Sequence, residues 1–188
     1  MNIKLNRIVD CLVENTSKNG GPQYVRSQYD KLIAERDTSD VWRQFAIWFL
    51  VDPDHGVIRF TKHDSREYRV IKHVARLYDE NCKDRNAWRK ATSAAKAAAS
   101  ADTAADDDDD DFYVVWADTA DTAWSAYAAA AAYNAAKAAY VAAHAADAAY
   151  YASCAVFYAA AGATAAAYKH MADKLLELLQ SAPLKEIP

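Results

Sequence analysis

The chain has 188 residues, of which 53% are hydrophobic and 26% are charged, and its formal net charge at pH 7 is −4. A chain of this length is enough for one domain, or for one domain with a small N-terminal unit. It contains no run of about 18 large apolar residues, so we expect no transmembrane helix and no membrane partner. Charges near the N-terminus argue against a signal peptide, and three widely spaced cysteines predict free thiols in a reducing cytoplasm.

The first half of the chain is basic and predicts short amphipathic helices. Residues 1–90 carry 17 Lys and Arg against 13 Asp and Glu. A Gly-Gly-Pro turn is followed by apolar residues at helical spacing, which predict a helix over residues 24–36. Residues 41–50 are apolar nearly all round, so they predict a helix at the centre of the front core, with Ser39 or Asp40 as its N-cap.

A further helix follows, and one of its faces is basic. Asp64 or Ser65 is expected to cap it. Its apolar face is predicted to consist of Tyr68, Ile71, Val74, Ala75 and Tyr78. Its cations stand three or four positions apart at Arg66, Arg69, Lys72 and Arg76. Such a face can bind nucleic acid, can contact an acidic segment of the same chain, or can be exposed to solvent with no partner. Nucleic-acid binding is not expected, because acidic residues are interleaved with the cations.

Alanine dominates the second half, with 38 of the 82 residues between positions 91 and 172. Alanine has the highest intrinsic helix propensity, so this region predicts helices. The expected elements are a helix over residues 87–100, a long helical segment over residues 112–161 and a final helix over residues 165–180. Gly162 is expected to mark a bend between the last two.

Residues 91–188 are acidic, with 13 Asp and Glu against 5 Lys and Arg. Six of these acids are consecutive, and such a run is too repulsive to stay helical without partners, so a loop is expected over residues 102–111. At most, the run forms the acidic N-terminal entry to the next helix, where negative charge is favourable. The loop either solvates the molecule or binds a partner, as a mimic of DNA or in contact with a host or competitor protein. The candidate partner-binding residues are Asp106, Asp107, Asp108, Asp109, Asp110 and Asp111.

Larger residues form a heptad-type stripe in the long segment, with alanine between them. The stripe consists of Lys137, Tyr140, His144, Asp147, Tyr151, Cys154 and Tyr158. Either the alanine faces let helices pack closely while the stripe fills the remaining space, or the stripe faces solvent. Should the stripe line a cleft for a small molecule or nucleotide, the candidate ligand-binding residues are Lys137, Tyr140, His144, Asp147 and Tyr151.

No catalytic or cofactor motif stands out. The four glycines allow no phosphate-binding loop, and neither GxGxxG nor GxSxG occurs. His144-x-x-Asp147 and His170-x-x-Asp173 each place two side chains on one helix face, but Glu partners at metal-ligand spacing are lacking. The three histidines of the front half match no zinc pattern. We therefore expect a protein that is not an enzyme and that holds neither a cofactor nor a metal.

Several segments together resemble a known family. They are VWRQFAIWFL at residues 41–50, DSR at 64–66, VARLY at 74–78, Trp88 ahead of the alanine tract, and KHMADKLLELL at 169–179. In this order they resemble the alanine-rich proteins of phages and prophages that are often labelled immunity proteins, over roughly residues 40–180. The chain differs from that pattern in its six-Asp insert and in having Tyr where Trp is usual. The resemblance implies an all-helical protein of a phage or mobile element, acting by binding in the infected or carrying bacterial cell.

These observations predict an all-α helical bundle in which short N-terminal helices pack against a long alanine-rich helical hairpin. Regions 1–86 and 87–182 are expected to form one globular unit, and the opposite charges of the two halves and the smooth alanine faces predict a homo-oligomer. Three functions stay open. The first is a phage or mobile-element protein that binds a host or competitor factor in immunity or anti-defence. The others are a sponge-like oligomer that binds a small molecule or nucleotide, and a structural or assembly protein.

Overall fold

The structure, a computed structural model, describes residues 3–18, 25–100, 120–160 and 165–186. Within these residues the fold is all-α, as the sequence predicts, and no β-strand forms. A short 3-10 helix at Val57–Phe60 follows the third helix. The α-helices are α1 (Ile3–Lys18), α2 (Arg26–Glu35), α3 (Val41–Val51), α4 (Arg66–Asp79), α5 (Arg85–Ala99), α6 (Ala120–Tyr140), α7 (Ala145–Ala160) and α8 (Ala165–Ser181).

Seven of these helices pack in a closed ring. Going round it, α4 contacts α5, then α6, α7, α1, α8 and α3 follow, and α3 returns to α4. Helix α2 lies outside the ring against α1 and α8, whereas α6 also contacts α3 and α4 across it. Helices from both halves of the chain therefore share one hydrophobic core.

Helix α3 is central to the front of the core, as its composition predicts. Its residues Phe45, Ala46, Phe49 and Leu50 are completely buried, and the rings of Phe45 and Phe49 meet edge to face with centroids 5.6 Å apart. Large aromatic side chains bury much area each, which compensates for the small contribution of the many alanines. Trp48, on the same helix, is only partly buried.

The long helical segment expected over residues 112–161 folds back on itself in the part that the structure describes, as the predicted hairpin requires. Helix α6 ends at Tyr140 and α7 begins at Ala145, and the chain folds back between them through a tight turn. The two helices then pack along each other, which gives the predicted hairpin. A single helix would leave its alanines in water, where alanine helices are marginal, whereas the hairpin buries residues 128–132 of α6.

Local capping agrees with the sequence in part. Ser65 caps α4, since its hydroxyl accepts the Tyr68 backbone N–H at 3.1 Å, and Asp64 has a positive φ of 61° instead. Asp40 occupies the N-cap position of α3 without a side-chain bond to the backbone. Its carboxylate accepts from the side chains of Arg43 and Gln44 instead, because charged and amide donors lie one turn away.

Two expectations fall on residues outside the described ranges. The acidic run at residues 106–111 lies in one gap, and Gly162 lies in another, between the end of α7 and the start of α8. Among the helices that are described, none combines the length and the hydropathy that a bilayer crossing requires.

Candidate ligand-binding cleft

A cleft of about 390 Å³ opens at one end of the bundle, where five helix ends meet. The N-terminal ends of α1, α3 and α5 and the C-terminal ends of α4 and α6 supply its walls. Pockets that bind small ligands usually measure about 300–1,000 Å³. The cleft is therefore large enough for one small molecule.

The connection from α4 to α5 shapes one wall. Asn81 adopts a left-handed φ of 48°, which ends α4, and the Cys82 backbone N–H donates to the Leu77 carbonyl at 2.9 Å. This hydrogen bond is typical of the Schellman motif that ends many α-helices. The motif needs one residue in the left-handed conformation, which asparagine adopts more easily than most residues do. Asp84 then caps α5 through the Asn86 backbone N–H at 2.8 Å. The tight connection places Lys83 and Arg85 at the cleft.

Four aromatic side chains form the floor and one side of the cleft: Trp42, Tyr78, Trp88 and Tyr140. Tyr78 joins three helices, because its hydroxyl donates to the Ala135 carbonyl at 2.7 Å and accepts from the Trp42 indole N–H at 3.2 Å. Burial raises the pKa of the Tyr78 phenol, so this hydroxyl stays protonated. Trp88 donates its indole N–H to the Cys82 carbonyl at 3.0 Å. These bonds hold the floor rigid.

Four cations line the same cleft: Lys4, Arg43, Lys83 and Arg85. Among the described residues that line it, none is an Asp or Glu. A concave surface with one sign of charge and apolar walls attracts ligands of the opposite sign. The cleft is thus suited to an anion, and we call it the cationic cleft.

Arg43 is committed to the protein itself. Its guanidinium binds the Asp40 carboxylate at 2.8 Å and donates to the Asp79 carbonyl at 3.2 Å, at the end of α4. Hydrogen bonding by Arg43 holds the pKa of Asp40 below its ordinary value, and Lys83 adds to this effect through space. Arg43 therefore ties α3 to α4 and contributes less free charge to the cleft than the other cations do.

The remaining three cations have no carboxylate in salt-bridge contact in the described part of the chain. Lys4 Nζ lies 5.5 Å from the centre of the Trp42 ring, and burial lowers the pKa of Lys4 below its ordinary value. Arg85 Cζ lies 4.8 Å from the centre of the Tyr140 ring, and Lys83 Nζ donates to the Asn81 amide oxygen at 2.7 Å. An anion would give these groups the salt-bridge partner that the described residues do not provide.

Of the five residues predicted to bind a ligand, the structure places one, Tyr140, in the cationic cleft. Lys137 lies beside it, with Nζ 5.8 Å from the Tyr140 ring centre and 5.5 Å from that of Tyr151 on α7. His144 and Asp147 are exposed at the turn into α7. The predicted stripe is therefore broken at that turn, and its residues do not share one helix face.

Four residues of the cleft carry no periodic signal in the sequence. Lys4, Lys83, Arg85 and Trp88 come from the start of α1 and from the connection into α5. They meet only because the helix ends converge. A partial signal existed in the Asn-Cys-Lys-Asp-Arg segment at residues 81–85, whose composition is typical of a turn followed by an N-cap.

The histidines do not assemble into a larger site. His170 packs against His55 with ring centroids 4.5 Å apart, while Asp173 binds Lys169 at 2.6 Å. His55 contacts Asp52 at 3.2 Å. The described residues contain no group of three or more His, Cys, Asp or Glu placed to hold a metal ion.

The basic face of α4 is exposed in the structure. The side chains of Arg66, Arg69, Lys72 and Arg76 all face solvent, and Arg76 reaches Glu80 at 3.7 Å.

Comparison of the chain with models of known families, with curated proteins and with solved structures finds no match. What the fold defines is an all-α bundle with a cationic, aromatic-lined cleft at one end.

Proposed function

We propose that this protein acts by binding a small anionic molecule in the cationic cleft, without transforming it. One observation carries the proposal: four aromatic side chains and three cations, Lys4, Lys83 and Arg85, that make no salt bridge within the described residues line one cleft in which no described lining residue is acidic. Asp40 pairs with Arg43 and acts on Lys83 only through space, so the cations of the cleft outnumber the described carboxylate beside them, and a bound anion would reduce their mutual repulsion. Binding of a small molecule is one of the three functions that the sequence left open. The proposed binding site, however, lies at the helix ends and not along the heptad-type stripe.

The test compares two double variants of equal charge change on neighbouring residues. Lys83→Gln with Arg85→Gln removes two cations of the cleft, and Arg89→Gln with Lys90→Gln removes two exposed cations of α5 that do not line it. Calorimetry at low ionic strength uses four probes: pyrophosphate, citrate, indole-3-carboxylate and adenosine monophosphate. At least one probe should bind the unaltered protein. The first double variant should weaken that binding about tenfold or more, and the second should change it less than about twofold.

Two results would overturn the proposal. One is that none of the four probes binds the unaltered protein. The other is that both double variants weaken binding equally, since the effect would then reflect net charge and not the cleft. Native mass spectrometry of the purified protein supplies an independent readout, because a co-purified anion should be lost from the first double variant alone.

A second candidate function rests on the sequence. The resemblance to phage immunity proteins implies that the protein binds a host or competitor protein, and the run of six consecutive Asp at residues 106–111 supplies negative charge for such binding. Replacing this acidic run with Gly and Ser should leave the helical signal in circular dichroism unchanged and reduce the capture of a partner from host lysate. Equal capture by both forms would contradict this function.

Self-association stays a prediction that salt can test. Residues 128–132 of α6 and its Ala135, Ala136 and Ala138 are buried within one chain, so these alanines are not available for contact with a second copy. The remaining reason for an oligomer is the opposite charge of the two halves, 17 Lys and Arg against 13 acids in residues 1–90 and 5 against 13 in residues 91–188. Sedimentation velocity should show an oligomer that dissociates as salt is raised, because salt screens exposed charges. A monomer at low salt would contradict it.

A further inference from the structure

We infer that the anion bound in the cationic cleft is a nucleotide, with its base against Tyr140 and Arg85 and its phosphate at Lys4 and Lys83. This inference rests on the proposed function and makes it more specific. The base and the phosphate of the ligand each follow from a different set of contacts.

The base would bind at the most open aromatic side chain of the cleft. Trp42, Tyr78 and Trp88 are each 7% exposed or less, whereas Tyr140 is only partly buried. The Arg85 guanidinium lies 4.8 Å from the Tyr140 ring centre. Aromatic rings and guanidinium planes are the two surfaces on which proteins stack nucleobases. Because Arg85 already lies over the Tyr140 ring, a planar ring would stack on the outer face of the guanidinium or take its place on Tyr140.

The phosphate would bind at the two lysines. Lys83 donates to a neutral amide oxygen, and Lys4 lies over the Trp42 ring, so neither ammonium has a carboxylate in salt-bridge contact in the described ranges. A lysine ammonium is a compact point charge with three donors, which suits a phosphate group. Arg43 cannot serve in this way, because Asp40 already holds it.

Simpler ligands use only half of this arrangement. An inorganic anion would satisfy the lysines and leave the Tyr140 and Arg85 surface unused. An apolar ring would cover that surface and strip water from the lysines without supplying charge, which is unfavourable. The volume of about 390 Å³ is near the lower end for ligand pockets, which favours a single nucleotide over a longer strand.

The experiment measures dissociation constants by calorimetry for adenosine monophosphate, adenosine, pyrophosphate and indole-3-carboxylate. The nucleotide should bind at least about tenfold more tightly than any of the three partial ligands. Tyr140→Leu should weaken the nucleotide about tenfold and leave pyrophosphate within about twofold, whereas Tyr140→Phe, which keeps the ring, should leave both unchanged. Lys83→Gln should weaken the nucleotide and pyrophosphate together, with Lys90→Gln as its matched control on α5.

The outcomes separate this inference from the proposed function. Pyrophosphate or indole-3-carboxylate binding as tightly as the nucleotide would overturn the nucleotide assignment and leave an anion-binding cleft. Equal loss of pyrophosphate and nucleotide in Tyr140→Leu would also overturn it, because the ring would then act on the fold and not on the base. Failure of every probe to bind would overturn both.

Discussion

Single side chains join distant parts of this molecule, and Tyr78 is one of those at the cleft. Its hydroxyl lies between the Trp42 indole on α3 and the Ala135 carbonyl on α6, in a buried position. Buried polar groups stabilise a fold while they are paired and are costly once a partner is removed. The hydroxyl oxygen of Tyr78 therefore links α3, α4 and α6 beneath the cleft.

Replacing Tyr78 with Phe should lower the free energy of unfolding by about 1–3 kcal/mol, because the Trp42 N–H loses its acceptor in a buried site. Urea denaturation followed by tryptophan fluorescence measures the loss. Tyr140→Phe is the control, since the Tyr140 ring is only partly buried, and it should change stability by less than about 0.5 kcal/mol. Equal effects at the two positions would show that the Tyr78 hydroxyl adds nothing to stability.

Two aromatic residues one turn apart on α3 should differ in their contribution to the core. The composition of this helix predicts that it is buried all round. Of these two residues, however, only Phe45 is completely buried, and the Trp48 ring stacks between the rings of Phe45 and His55. Phe45→Ala should cost about 3–5 kcal/mol, the usual range for a buried aromatic. Trp48→Ala should cost clearly less in the same thermal and urea denaturation experiments. A greater loss for Trp48 would mean that α3 faces the core the other way.

At the scale of the element, the alanine helices act as close-packed surfaces. Helix α5 presents Ala91, Ala95, Ala98 and Ala99 to the interior, and each is 4% exposed or less. The separation between packed helices depends on the side chains at their contact, so small residues allow a close approach. The same composition that predicts a helix thereby sets how closely α5 and α6 pack.

Adjacent alanines on α5 provide a matched test of this packing. Ala95 is completely buried, and Ala94 is exposed. Ala95→Leu should destabilise the fold by about 1–3 kcal/mol, because a larger side chain must push the helices apart. Ala94→Leu should stay within about 0.5 kcal/mol of the unaltered protein. Unfolding by urea measures both, and a tolerated Leu at position 95 would contradict the close packing of α5 and α6.

For the whole molecule, acid should weaken the fold through two histidines. Desolvation holds the pKa of His73 and of His170 below the ordinary 6.5, with help from Arg76 for the first and from His55 for the second. The unfolded chain therefore binds more protons than the folded chain as pH falls through about 6.5. Above that pH both histidines are neutral in the folded and the unfolded chain, and the free energy of unfolding is at its full value. Below it, proton binding favours the unfolded chain, and the free energy of unfolding falls.

The free energy of unfolding should thus be smaller at about pH 5.5 than at about pH 7.5. His170→Gln should reduce this difference, because glutamine does not titrate. His144→Gln, at an exposed position of the α6–α7 turn, is the matched control and should leave the difference unchanged. A pH dependence that is identical in the unaltered protein and in His170→Gln would assign the acid sensitivity to other groups.

Much of the secondary structure could be predicted from the sequence because its causes are local. The alanine content predicts helix, and the apolar spacing between Tyr68 and Tyr78 predicts the inner face of α4, where Ile71, Val74 and Ala75 are indeed buried. Ser65 is one of the two capping residues predicted for that helix. Each of these properties depends on residues within about one or two turns of each other.

The cleft and the hairpin turn were decided by the tertiary structure. Nothing in residues 141–144 breaks a helix strongly, and the chain turns there because folding back buries alanine faces that would otherwise meet water. Lys4 and Arg85 stand 81 positions apart and share a cleft only because helix ends converge. Propensity and capping are properties of neighbouring residues, so the sequence by itself determined which segments are helical. The burial of the alanines and the approach of Lys4, Lys83 and Arg85 to one another depend on which helices are neighbours. The packing of the whole chain decides that arrangement, and no local stretch of sequence does.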